Sequence, residues 1–95
     1  MAMYPFDQAH YEDLANDLRA ILRSVDGQVS RSTAQLLAEL VDHNEPGVAL
    51  EILTAELIAG AMAISSETYG AIMALSVTMS MTSIDLPSLR SQVDA

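Results

Sequence analysis

A chain of 95 residues that is 51% hydrophobic can form one folded domain and is too apolar to be disordered as a whole. It has no cysteine, which excludes disulfides, thiolate nucleophiles and Cys-ligated zinc, and favours the cytoplasm over an oxidising compartment. Thirteen acidic residues against four basic ones give a formal net charge of −9, which disfavours nucleic acid and anionic membranes as partners.

The first predicted helix runs roughly from Asp7 to Val25. Its apolar residues form one stripe at spacings of three and four, with acids near its start and arginines near its end, as the helix dipole favours. Asp26-Gly27 is expected to end it, because glycine readily adopts the left-handed conformation of a helix end. A second helix is predicted to begin near Ser30–Ser32, with either serine as the cap, and to end at His43-Asn44.

A third helix is predicted to start around Glu45–Gly47, since a proline is tolerated in the first turn. Residues 48–58 are apolar around most of the helix circumference, which predicts a central helix covered by its neighbours or by a partner. Ser65 is expected to cap a fourth helix that continues toward Met81, and a short last helix follows Leu86-Pro87.

Together these elements predict an all-α fold, a compact single-domain bundle of four to five short helices over residues 1–95. The N-terminus lacks the basic start and apolar run of a secretory signal, so a cytoplasmic location is expected. The longest uncharged stretch, Thr68–Ile84, has 17 residues and contains several serines and threonines. We interpret it as a buried core helix with its tail, not as a membrane span.

The sequence contains no pattern that predicts an enzyme. His10 and His43 do not have zinc-ligand spacing with the nearby acids, so no metal site is predicted. No nucleophile elbow and no phosphate-cradling glycine motif is present. Glu51 and Glu56 project about 140° apart on one helix, so they do not make a catalytic pair. We therefore predict no catalytic residue and no cofactor, and a protein that works by binding.

The acidic residues are unevenly distributed along the chain. All four arginines lie outside Ser32–Leu89, a segment that contains seven acids and no basic residue. Such a segment repels itself, and a positively charged partner would relieve that repulsion. We therefore predict a partner-binding surface on the second and third helices, with an apolar anchor beside the acids. Its predicted members are Glu39, Asp42, Glu45, Glu51, Glu56 and Ile58.

The stretch ELVDHNEPGVALEIL at residues 39–53 resembles the MafI-like immunity proteins of bacterial polymorphic-toxin systems. Those proteins typically show an acidic helix end, a short Asp-x-x-Glu turn and then an Ala-Leu-Glu helix. ISSETY at residues 64–69 is similar to the Ile-Ser start of the family's next helix, and Met79-Ser80-Met81 to its Met-rich helix end. Asn44 stands in place of an expected glycine, a mild change because asparagine also tolerates left-handed turns.

The resemblance implies a protein without enzymatic activity that binds the C-terminal toxic domain of a secreted or contact-delivered effector, often a nuclease. Nucleases carry basic substrate grooves, which an acidic inhibitor can cover. The alternative hypothesis is an acidic helical chaperone or adaptor, or a homo-oligomeric scaffold, because the third helix is apolar on nearly all sides. An obligate dimer would favour the scaffold, and an upstream gene for a large secreted protein with a basic C-terminal domain would favour the immunity protein.

Overall fold

The computed structural model describes residues 8–94, with side chains described from Glu12 onward. Its five α-helices are α1 Gln8–Ser24, α2 Arg31–Asp42, α3 Pro46–Ala59, α4 Ser66–Thr78 and α5 Leu86–Ser91. In this part of the chain the only β-type pairing is an isolated parallel bridge between Ile64 and Val93. The prediction of an all-α helical bundle is confirmed. The start predicted for the first helix, Asp7, and the side chain of His10 lie outside the described residues.

Serine caps determine where α2 and α4 begin. Ser30 Oγ accepts a hydrogen bond from Thr33 N at 3.2 Å, and Ser65 Oγ accepts one from Thr68 N at 3.0 Å. Each bond satisfies a backbone N–H that the first turn of a helix leaves without a partner. Of the two serines predicted as caps for α2, the earlier one therefore has that role. Pro46 occupies the first turn of α3, where its missing N–H is not needed.

Helix α3 is the centre of the fold, because it contacts each of the other four helices. Leu50, Leu53 and Leu57 on its inner side have no solvent exposure, and Ala49 is equally buried. These contacts explain why α3 is apolar around so much of its circumference. The prediction of a central helix is confirmed, with the covering supplied by neighbours within the chain.

Side-chain hydrogen bonds join parts of the chain that are distant in sequence. α1 and α4 run antiparallel, with Ser24 Oγ at the end of α1 lying 2.9 Å from Thr68 Oγ1 in the first turn of α4. The C-terminal residues return to α3, where Gln92 Nε2 donates hydrogen bonds to the carbonyl oxygens of Leu57 and Met62. The C-terminal end of α3 is thereby held by the residues that follow α5.

The uncharged stretch Thr68–Ile84 is divided between a helix and a turn. α4 ends at Thr78, and Ser80 has a φ of 54°, which takes the chain out of the helix. Ile72 and Leu75 within the stretch are buried, as expected for a core helix. No helix within residues 8–94 combines the length and the apolar character needed to cross a bilayer.

Ala61, two residues after the end of α3, has a φ of 49°, in the left-handed region that costs a residue with a Cβ about 1–2 kcal/mol. Glycine removes this strain but also adds conformational freedom to the unfolded chain. We expect Ala61→Gly to raise the free energy of unfolding by about 0.5–1 kcal/mol, measured by urea denaturation. The matched control is Ala38→Gly, at an exposed position inside α2. This change should lower the free energy of unfolding by about 1 kcal/mol. Equal destabilisation by both changes would contradict the left-handed turn at Ala61.

Candidate partner-binding site

Asp42, one of the predicted contact residues, forms an ion pair within the chain. Its Oδ1 atom lies 2.9 Å from Arg19 Nη2 on α1, and the two side chains are 63% and 44% exposed. A pair with this exposure contributes only about 0–1 kcal/mol to stability. Although the segment Ser32–Leu89 contains no arginine of its own, folding brings Arg19 of α1 to Asp42, so this acid is not left without a basic neighbour.

Glu56 is engaged in holding two helices together. Its Oε1 accepts a hydrogen bond from Thr33 Oγ1 at 2.7 Å, and its Oε2 accepts one from Ser30 N at 3.0 Å. These bonds attach the C-terminal half of α3 to the start of α2. Helix geometry places Glu56 about 16 Å along the axis from Glu45. The structure therefore does not bring Glu56 together with the acids at the α2–α3 turn.

We expect Glu56→Ala to lower the free energy of unfolding by about 1–3 kcal/mol, because two donors lose a charged acceptor. Urea denaturation followed by circular dichroism measures the change. The control is Glu39→Ala, also on the α2–α3 pair, whose carboxylate has no hydrogen bond or ion pair within residues 12–94. That change should stay within about 0.5 kcal/mol of the wild type. If both variants matched the wild type, the structural role of Glu56 would be refuted.

Glu51 and Ile58 lie on the side of α3 away from the buried leucines, and Glu45 is the residue directly before the helix. Steps of three and four residues through Val48 and Ala55 connect them into one strip along α3, whose ends, Glu45 and Ile58, lie about 140° apart around the axis. We call this strip the α3 stripe; its members are Glu45, Val48, Glu51, Ala55 and Ile58. Val48 is 41% exposed although it is a large apolar residue. The stripe thus combines apolar surface with two carboxylates, and it contains three of the six residues that the sequence predicted.

Two hollows flank the α3 stripe, and Glu51 belongs to both. The methionine hollow, of about 380 Å³, lies between the start of α3 and the segment after α4. It is lined by Leu14, Asn44, Glu45, Pro46, Gly47, Val48, Glu51, Met79 and Met81. The Ile58 hollow, of about 350 Å³, lies between α3 and residues 83–85. It is lined by Glu51, Thr54, Ala55, Ile58, Ala59, Ser83, Ile84 and Asp85.

Asp85 is an acid of this site that the sequence did not assign to the partner surface. Its Oδ2 accepts a hydrogen bond from Ser88 Oγ at 2.7 Å, and its Oδ1 accepts one from Ser88 N at 3.2 Å. These bonds, the side-chain one first, lower the pKa of Asp85 below its ordinary value. The Asp-x-x-Ser pattern indicates a helix cap, but only the fold brings Asp85 beside α3.

Glu51 forms the wall between the hollows. Its Oε2 accepts a hydrogen bond from Ser83 Oγ, which joins α3 to the segment before α5. Its Oε1 has no hydrogen-bond partner among the described side chains. That oxygen can therefore accept a further hydrogen bond from a partner.

The charge of the site is entirely negative. Glu45, Glu51 and Asp85 line the hollows, and no arginine or histidine from residues 12–94 lines either one. Nowhere in the described part of the chain do three His, Asp or Glu side chains converge as a metal site would require. Both hollows thus combine apolar lining with carboxylates and contain no basic side chain from residues 12–94.

No family model, no curated protein and no solved structure matches this chain. The fold and the site define an all-α protein whose central helix carries the core on one side and an acidic, partly apolar surface on the other.

Proposed function

We propose that this protein is an immunity protein, which binds a cationic toxin domain in the cytoplasm and holds it inactive without catalysing a reaction. The observation that carries the proposal is the α3 stripe with the neighbouring Asp85, where three carboxylates border two hollows that no described basic side chain lines. The resemblance of residues 39–53 and 64–69 to MafI-like immunity proteins supports the same function.

The two components of the surface have different physical roles. A net charge of −9 attracts a basic toxin domain over a distance and raises the rate of association. The hollows supply apolar area from which water is excluded on binding, and such area slows dissociation. Glu39 and Asp42 lie beyond the hollows, so their contribution is to the long-range field.

A co-expression experiment tests the proposal. The C-terminal domain of the protein encoded directly upstream is expressed in a bacterium with and without this chain. We expect growth arrest by the domain alone, rescue by the chain, and a purified one-to-one complex. Unchanged toxicity, or an upstream gene that encodes no secreted effector, would contradict an immunity function.

Substitutions then connect rescue to the α3 stripe. The stripe variant, Glu45→Gln/Glu51→Gln/Asp85→Asn, removes three charges but keeps the acceptor for Ser83 and an asparagine cap on α5. The control variant removes three exposed acids outside both hollows, Asp13→Asn/Asp17→Asn/Asp26→Asn. We expect rescue to weaken with the stripe variant and to persist with the control.

A homo-oligomeric scaffold is the second candidate, and the outer face of α4 favours it. Val77 is 70% exposed and Met73 is 41% exposed there, one helical turn apart. The apolar sequence of α3, which first suggested a scaffold, is already explained by its four neighbouring helices. Light scattering on the purified chain distinguishes the candidates, since a scaffold would form a stable oligomer and an immunity protein of the proposed kind would remain a monomer until it meets the toxin.

A further inference from the structure

We propose that the Ile58 hollow is a pocket for a single arginine side chain of the protein partner; that a partner exists rests on the proposed function. Ala55, Ile58 and Ile84 provide the apolar lining of the hollow, and Glu51 and Asp85 provide its charges. The net charge of the chain would attract any cationic partner, whereas this pocket would select one chemical group, the guanidinium of arginine.

The hollow has room for a long side chain. It measures about 350 Å³ and opens to solvent between α3 and residues 83–85. A single long side chain from a partner can enter, with its methylene groups against Ala55 and Ile58.

The arrangement of acceptors favours arginine over lysine. Glu51 Oε1 has no partner among the described residues, and each Asp85 oxygen accepts only one hydrogen bond within the chain. A guanidinium group has five N–H donors in a rigid plane and can bond to two carboxylates at once. An ammonium group is a more strongly hydrated point charge, so lysine gains less in a half-apolar hollow.

The charged side chains around the Ile58 hollow are held more firmly in place than the methionines around the methionine hollow. Hydrogen bonds from Ser83 to Glu51 and from Ser88 to Asp85 hold the two carboxylates that flank it. Met79 and Met81 in the other hollow are flexible side chains that can adapt to many shapes. Since a preformed site loses less conformational entropy on binding, the Ile58 hollow is the one we assign to a specific side chain.

Nuclear magnetic resonance with a capped amino acid tests the pocket directly. N-acetyl-arginine N-methylamide is titrated into the ¹⁵N-labelled full chain at low salt, with the lysine and norleucine equivalents as comparison probes. We expect the arginine probe to shift the backbone amides of residues 51–59 and 83–85 more than those around other exposed acids. The lysine probe should cause smaller shifts there, and the norleucine probe the smallest.

Two variants of the chain make the test specific. Glu51→Gln/Asp85→Asn should abolish the localised shifts, whereas the exposed pair Asp13→Asn/Asp17→Asn should leave them unchanged. The proposal of a pocket is refuted if the shifts are spread evenly over all acidic positions. It is also refuted if Glu51→Gln/Asp85→Asn does not affect the shifts. Equal shifts with the lysine probe would overturn the preference for arginine.

The failure of the pocket and the failure of the proposed function are distinguishable. If the upstream-encoded toxin domain binds the wild-type chain, Glu51→Gln/Asp85→Asn should weaken that affinity by up to about thirtyfold. If this substitution does not change the affinity, the arginine pocket is refuted but the immunity function is not. If the toxin domain does not bind the wild-type chain, the immunity function is refuted, whatever shifts the arginine probe causes.

Discussion

Leu53→Ala is expected to lower the free energy of unfolding by about 3–5 kcal/mol. Leu53 has no solvent exposure and lies in the middle of α3, the helix that contacts all four others. Its replacement removes apolar contacts and leaves a cavity that neighbouring helices can fill only in part. A domain of 95 residues has a total stability of about 5–15 kcal/mol, so this change would remove about a fifth of it or more.

Urea denaturation followed by circular dichroism at 222 nm measures this effect. The matched control is Leu36→Ala in α2, the same change at a residue that is 44% exposed. Because Leu36 has less buried surface to lose, that variant should lose no more than about 1 kcal/mol. Equal losses in the two variants would show that α3 is not the centre of the core.

The position of α3 affects how binding experiments are interpreted. The same helix carries the core on one side and the α3 stripe on the other, so a core variant will also lose partner binding through unfolding. Variants of Glu45, Glu51 and Asp85 avoid this problem, because all three side chains are exposed. Loss of binding in those variants, at unchanged stability, can be assigned to the surface itself.

Local sequence patterns were sufficient to predict the helices. Apolar spacing, serine caps and the proline of α3 are short-range signals, and each acts within about one helical turn. The same holds for Asn44, whose φ of 58° agrees with a turn position that tolerates left-handed backbone. The choice between Ser30 and Ser32 as the cap of α2 was left open, because both offer a side-chain oxygen close to the helix start.

The neighbours of the acids could not be predicted in the same way. Periodicity predicts which face of a helix is polar, but it does not specify which other helix lies against that face. Asp42 meets Arg19 and Glu56 meets Thr33 only because of the way that the helices pack. For the same reason Asp85, distant in sequence, joins Glu51 at one hollow. A surface that is continuous in sequence was therefore expected, and the structure gives one assembled from α3 and the segment before α5.

The association rate with the toxin domain is expected to fall about 10- to 100-fold as the ionic strength rises from 10 mM to 150 mM. Salt shortens the screening length from about 30 Å to about 8 Å over this range, so a net charge of −9 attracts a basic partner only at close approach. Stopped-flow measurements at several salt concentrations give the rate. The dissociation rate should change much less, since it depends on contacts made within the complex.

Comparison of the stripe variant with the control variant separates total charge from its position. Each removes three carboxylates, so both leave a formal net charge of −6, that is −9 + 3. If only total charge mattered, the two variants would associate at the same reduced rate and show the same salt dependence. If a cationic partner docks at Glu45, Glu51 and Asp85 as we propose, the stripe variant should associate more slowly at low salt and depend less on salt. It should also dissociate faster, since the partner's cationic groups would lose their acceptors. A wild-type association rate that does not respond to salt would leave the acids with no role beyond solubility.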